Sequence, residues 1–156
     1  MAIVDLYPTS LRLLGRPALV VGGGPVAARR AKGLLDAGAR VTIVAPELSD
    51  AAKELTDASL VSWEPRSYAR TDMDDAWFVV TATNNNDVDA QVAADAESLR
   101  LWCVNASDAD GSTAWTPAVV TVDDVKIAVN AGGDSRRAVA INRKDPGIPD
   151  VLGSSQ

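Results

Sequence analysis

Val20-Val21-Gly22-Gly23-Gly24-Pro25-Val26-Ala27-Ala28-Arg29-Arg30 is the stretch that decides the fold. A short apolar run, Ala18 to Val21, meets three consecutive glycines. Beyond them, apolar and small residues recur with helical spacing at Val26, Ala27, Ala31, Leu34 and Leu35, as expected of a helix from Val26 to Ala37. A buried strand therefore turns straight into a helix. Gly38 stands where the helix should stop, and Val41 to Val44 reads as the next strand, ended by Pro46. The segment Gly22-Gly23-Gly24-Pro25-Val26-Ala27 matches Gly-x-Gly-x-x-Gly/Ala in the strand-to-helix setting that a dinucleotide fingerprint needs. Each position has a physical reason: Gly22 permits the sharp turn, Gly24 leaves room for backbone to approach a pyrophosphate, and Ala27 keeps helix and sheet close. Pro25 suits the first helical turn, where no N–H is required. The plain alternative is a tight turn with no ligand.

Outward from this unit the alternation continues. Ser49 begins a second helix, Ser59 to Trp63 reads as a short strand, and Asp72 to Asp75 as an acidic loop. Trp77 to Thr81 is an apolar strand, Thr83 to Asn86 supplies turn chemistry, a helix runs from Val88 to Leu99, and Leu101 to Val104 is a further strand. Asn105 to Thr116 is a long polar loop closed by Pro117, of the kind that carries function. Ala118 to Val122 and Val125 to Asn130 form a hairpin about Asp123-Asp124, which should end the sheet antiparallel. The fold class is thus α/β, a Rossmann-like doubly wound, mostly parallel sheet with a C-terminal antiparallel hairpin. Residues 1–143 are read as one NAD-binding domain and 144–156 as a disordered tail.

Composition narrows the chemistry. The 156 residues are 47% apolar with only 4% aromatic, so Ala and Val fill the core, and 15 basic against 21 acidic residues give a net charge of −6. Nucleic acid is not an expected partner. No apolar stretch approaches the length of a membrane span and no signal peptide is apparent, so the chain reads as cytoplasmic. Histidine is absent, which excludes His triads, His metal sites and imidazole acid/base chemistry. Tyr-x-x-x-Lys is missing too, because Asp72 stands four residues after Tyr68. The lone Cys103, in an apolar strand, is expected to be buried and inert.

Carboxylates therefore carry any proton transfer. Asp108 and Asp110 follow the strand that would face the cofactor; Asp108 is the first candidate, against the plain reading of a turn-forming Asp. For the cofactor, the second strand ends Val44-Ala45-Pro46-Glu47, so Glu47 is a candidate ribose ligand, displaced by a residue or two from its expected place. No Arg lies between Ala45 and Ser49 to meet a 2′-phosphate, which favours NAD over NADP. Thr83 and Asn84 sit at the same strand edge, either closing over the cofactor or serving as a helix N-cap.

A set of ordered motifs then resembles one family. Tyr7-Pro8, the glycine stretch, Ala37-Gly38-Ala39-Arg40-Val41-Thr42, Val44-Ala45-Pro46-Glu47, Thr81-Ala82-Thr83-Asn84, Asn105-Ala106-Ser107-Asp108, Pro117-Ala118-Val119-Val120 and Ala128-Val129-Asn130-Ala131-Gly132-Gly133-Asp134-Ser135 resemble the N-terminal region of siroheme synthase, which stand-alone precorrin-2 dehydrogenase and sirohydrochlorin ferrochelatase shares. The likeness covers about residues 6–143. It implies NAD-dependent oxidation of precorrin-2 to sirohydrochlorin, with insertion of ferrous iron as a second step and a transient iron contact at the same carboxylate, here Asp108. It implies cofactor contacts at Pro25, Val26, Pro46 and Glu47, beside Gly22, Gly23 and Gly24. Ser135 matches a serine at the tetrapyrrole cleft, and Arg136 and Arg137 are candidates for the basic rim that a polycarboxylate substrate needs. The alternative for the rim is a pair of solvated helix residues.

Two features depart from the family. The loop from Asp108 to Pro117 is one residue shorter than expected, and after Arg143 the family continues into helices that dimerise and cover the tetrapyrrole, where this chain has only Lys144 to Gln156. A homodimer is therefore a family expectation without its usual helices. The alternatives are a non-catalytic NAD-binding regulatory module and an N-terminal fragment of a larger siroheme synthase.

Overall fold

The computed structural model describes residues 5–130. Ser135, Arg136, Arg137 and the tail from Lys144 lie outside the described residues. The described residues divide into a unit of Ser10–Trp115 and a second unit that includes residues 5–9 and 116–130.

The larger unit runs β1 (Pro17–Val21), α1 (Pro25–Asp36), β2 (Arg40–Val44), α2 (Asp50–Asp57), β3 (Ser62–Glu64), a 3₁₀ turn (Arg70–Met73), β4 (Phe78–Thr81), α3 (Asn86–Ser98) and β5 (Trp102–Asn105). Its five strands pair in the order β3-β2-β1-β4-β5, and every pairing is parallel. From β1 the chain winds outward one way through β2 and β3, then returns past β1 to wind the other way through β4 and β5. The reversal lies between β1 and β4, where doubly wound sheets open a crevice at the carboxyl ends of the strands.

Alternation along β1 shows why the sheet is covered on both faces. Ala18 and Val20 join one core cluster with Ala27, Ala31 and Leu34 of α1, whereas Leu19 and Val21 join another with Val92, Ala93 and Ala96 of α3. Alanines at the contact positions let both helices lie close to the strands, so the aromatic-poor composition is the composition of this packing. α1 ends as expected at Gly38, whose φ of +81 and whose bonds from Gly38 N to Leu35 O (2.8 Å) and Ala39 N to Leu34 O (3.1 Å) close a Schellman motif.

Three local expectations shift. β3 begins at Ser62, not Ser59, because Ser59 (φ +56) and Leu60 are used to terminate α2, with Leu60 N bonded to Leu55 O at 3.0 Å. No glycine marks that stop. The acidic loop is partly a 3₁₀ turn, anchored by buried Met73 and by an ion pair of Asp72 with Arg66. The hairpin, β6 (Ala118–Val122) and β7 (Val125–Val129), pairs antiparallel with Asp123 in the left-handed region, but it forms a two-stranded sheet of its own; among the described residues the five-stranded sheet contains no antiparallel strand.

Candidate functional site

Four strand ends lie side by side at the carboxyl edge, and main-chain bonds continue the ladder just past them. Gly22 N donates to Val44 O (3.0 Å), Ala82 N to Val21 O (2.8 Å) and Ala106 N to Thr81 O (2.9 Å). The turn after β1 therefore lies between those after β2 and β4, and the Asp108 loop is one strand further on. Two strand spacings separate the glycine turn from that loop, about 10 Å.

The three glycines have three different jobs. Gly22 has φ +122, and a Cβ there would stand 2.3 Å from Ala82 O. Gly23 is excluded from carrying a side chain by the turn after β2, since its Cβ would fall 2.0 Å from Glu47 O; the same contact is tied by Ser49 N donating to Gly23 O at 2.8 Å. At Gly24 a Cβ would meet nothing within 4 Å. The ground above Gly24 is open.

Gly24 is also the N-cap of α1, and no side chain caps it; Pro25 occupies the first turn. The other two helices are closed by their own side chains, α2 by Ser49 Oγ on Ala52 N and α3 by Asn85 Oδ1 on Asp87 N and Val88 N. The first-turn amides of α1, with the positive end of the helix dipole, thus face the open ground over Gly24, which suits a diphosphate. Val26 and Pro25 are exposed beside it, and buried Ala27 holds the helix against the sheet. The residues present therefore fit a dinucleotide.

Pro46 and Glu47 are exposed on the adjoining turn, where the Glu47 carbonyl packs against Gly23. Asn84 is exposed; the helix cap is Asn85, one residue beyond the pair named from sequence. Thr83 is turned inward. Its hydroxyl lies 2.8 Å from Asp89 Oδ1 and 3.0 Å from Asn85 O, and its amide donates to the same Asp89 oxygen at 3.1 Å.

Asp108 lies on the exposed loop after β5, as expected, and the turn-forming reading of it is realised as well. Its Oδ1 accepts from Asp110 N at 3.1 Å, and its Oδ2 sits where a Cβ on Gly111 would come within 2.8 Å. The loop folds back along β5: Thr113 N and Ala114 N donate to Cys103 O, Thr113 Oγ1 accepts from Cys103 N and Ser112 Oγ from Asn105 N. This covers the sheet edge and anchors the loop that carries Asp108. Cys103 beneath it is buried, and burial, with the Asp89 charge adding, pushes its thiol up to about 12, which leaves it protonated and unreactive at neutral pH.

Sequence reasoning missed Asp89. It is wholly buried in α3 and accepts from Thr81 Oγ1 (2.6 Å), Thr83 and Ser107 Oγ (3.0 Å). The signal was there: an acid stands on the apolar stripe it shares with Val92, Ala93 and Ala96, where it must find donors. Asp95, on the same helix, is the other instance. It accepts from Tyr68 Oη (2.8 Å), Arg70 Nη1 (3.2 Å) and Gln91 Nε2 (3.0 Å), and burial with this bond raises the Tyr68 phenol well above its ordinary range. A surface groove running from Pro17 and Arg40 to Asp74 and Trp77 contains none of the candidate residues. Among the described residues no group of His, Cys, Asp and Glu is arranged to hold a metal ion, and no helix is long and apolar enough to cross a membrane.

Residues 10–118 match a family model described as "Putative NAD(P)-binding". Siroheme synthase 3 of Aeromonas hydrophila is 35% identical over 130 residues, 83% of this chain and 28% of that protein. The siroheme synthase of Tolumonas auensis is 34% identical over 153 residues, 97% of this chain and 32% of that one. The chain thus spans about a third of the length of these relatives. Among solved structures, that of SirC, precorrin-2 dehydrogenase, superposes with a TM-score of 0.74 at 26% identity, covering 97% of this chain and 72% of the other.

Proposed function

Because the chain belongs to the "Putative NAD(P)-binding" family, we propose that it uses the crevice between β1 and β4 to bind NAD and oxidises precorrin-2 to sirohydrochlorin in siroheme synthesis, with Asp108 as the base. The observation that carries this reading is the uncapped start of α1 opening over Gly24, on the strand edge that also carries the Asp108 loop. The relatives and the SirC structure supply the substrate class.

The main-chain amides at the start of α1 bind the diphosphate, and Gly24 lets it approach. Pro25, Val26, Pro46 and Glu47 line the adenosine side, and Thr83 and Asn84 border the crevice toward β4. Bound there, NAD supplies the hydride acceptor. Two hydrogens leave the macrocycle: one as hydride, the other as a proton that Asp108 accepts. The chain has no histidine and Cys103 is buried, so a carboxylate takes this role.

The same carboxylate is a hard oxygen ligand, suited to guide ferrous iron transiently as pyrrole protons leave; iron is then substrate, not a resident metal. Ser135, Arg136 and Arg137 are assigned to the tetrapyrrole carboxylates. The setting is the cytoplasm. The chain acts either as a homodimer or as the N-terminal part of a longer synthase.

Absorbance tests the reading. Precorrin-2 with NAD and the protein develops the sirohydrochlorin spectrum, and Asp108→Ala abolishes it while NAD still binds. An unchanged spectrum with wild-type protein that binds NAD identifies a non-catalytic NAD-binding regulatory module instead.

A further inference from the structure

We propose that Asp89 is a positioning residue that couples the cofactor side of the site to the base, by clamping the loop after β4 to the loop after β5. The inference rests on the reading of Asp108 and the crevice given above. Asp89 Oδ1 receives Thr81 Oγ1 at 2.6 Å, Thr83 Oγ1 at 2.8 Å and Thr83 N at 3.1 Å, all from the end of β4. Asp89 Oδ2 meets Ser107 Oγ at 3.0 Å, from the loop after β5. One buried carboxylate therefore spans two neighbouring crevice loops, and its far contact is the residue next to Asp108.

The span is stiff on both sides. Asn85 N returns to Thr83 Oγ1 at 3.2 Å, so the turn that enters α3 cannot move without disturbing Thr83. Ser107 is pinned a second time by Asn105 Oδ1, which accepts from its amide (3.0 Å) and lies 2.9 Å from its hydroxyl. A carboxylate enclosed in an apolar helix–sheet contact is costly unless its lone pairs are used, and here four donors from two loops use them. A core position that served only packing would take a valine or alanine, like Val92 and Ala93 beside it. The acid makes loop placement conditional on the crevice: ligand pressing on Thr83 and Asn84 is felt at Ser107 and hence at Asp108.

The experiment compares Ser107→Ala, an exposed position that leaves the core intact, with Asp89→Ala and Asp89→Asn. In Ser107→Ala, kcat for precorrin-2 oxidation falls about tenfold while KM for NAD stays within about twofold, the signature of misplaced chemistry with intact binding. Asp89→Asn restores most of the rate of Asp89→Ala, because the amide oxygen still accepts from Thr81 and Thr83 and its NH₂ can donate to Ser107 Oγ. Adding Asp89→Ala to Ser107→Ala costs less than the two single losses combined, since both cut one link. Independently of turnover, saturating NAD slows amide exchange in the peptide 105–112 of the wild type and has no such effect in Ser107→Ala. Wild-type kcat in Ser107→Ala, or an undiminished exchange response to NAD there, overturns the clamp. If wild-type protein shows no turnover at all, the functional reading fails, and the exchange response still decides the clamp.

Discussion

Replacing each of two glycines by alanine separates folding from binding at the same turn. Gly24→Ala places a methyl where nothing lies within 4 Å, on a backbone of φ −78 and ψ −176 that alanine readily adopts. Lower chain entropy in the unfolded state favours the variant by about 0.4–1 kcal/mol. Loss of a good N-cap residue opposes it by a similar amount, about 0.5–1 kcal/mol. Net stability therefore stays within about 0.5 kcal/mol of the wild type, a few degrees in Tm at most. Gly22→Ala differs in kind: φ is +122 and the new Cβ would lie 2.3 Å from the Ala82 carbonyl oxygen. Backbone strain of about 1–3 kcal/mol and an overpacking cost of similar size together come to about 2–6 kcal/mol, which lowers Tm by at least about 5 °C. Thermal unfolding followed by circular dichroism and calorimetric titration with NAD read the two quantities. Gly24→Ala is expected to keep the wild-type Tm and lose at least about tenfold in NAD affinity, because its methyl stands where the diphosphate approaches. Wild-type affinity in a folded Gly24→Ala protein refutes that placement, and an unshifted Tm in Gly22→Ala refutes the close approach of the β1 and β4 turns.

Asp108→Asn keeps the bond from Asp110 N but removes the base, so single-turnover oxidation of precorrin-2 slows by about 10²–10⁴-fold, with NAD affinity measured calorimetrically unchanged. Cys103 resists iodoacetamide in the native protein at pH 8 and reacts after denaturation, as mass spectrometry will register. Its folded pKa of about 12 lies above the ordinary 9.0, so the folded state holds the proton longer. This contribution to stability is complete below pH 9 and is lost as pH rises toward 12, a decline in urea midpoint that Cys103→Ala reduces. Tyr68→Phe takes a hydrogen bond from nearly buried Asp95 and lowers unfolding free energy by about 1–3 kcal/mol in urea titrations.

Much of the sheet was legible because strong periodicity and glycine punctuation coincide in its first unit. Gly22 and Gly38 both adopt positive φ, and the helix between them begins and ends within a residue of where the pattern put it. β3 slipped because Ser59 terminates α2 in the left-handed conformation without glycine, as Arg100 does for α3, a tertiary choice that composition does not announce. The hairpin was readable as a hairpin, but its independence from the parallel sheet was not, since alternation along a strand says nothing about which edge it joins. The fingerprint singled out Gly24 as a position that needs no side chain, and the space above it is open. It was silent on Gly23, whose constraint comes from the Glu47 carbonyl on another strand's turn. Elimination in a chain without histidine left Asp108 and Asp110 as candidates, with Asp108 first, whereas no motif singled out Asp89. Its place on the buried stripe of α3 was the cue, and its partners Thr81 and Ser107 are distant in sequence, so only the fold brings them together.

The amide spectrum of ¹⁵N-labelled protein titrated with NAD addresses the nucleotide cradle directly. Large, saturable shifts at Gly24, Val26 and Ala27, reproduced by ADP, with smaller NAD-specific shifts at Ala106 to Asp108, are the expected result. Saturation with the α1 amides unmoved, or with shifts gathered around the Arg40–Trp77 groove, would contradict it.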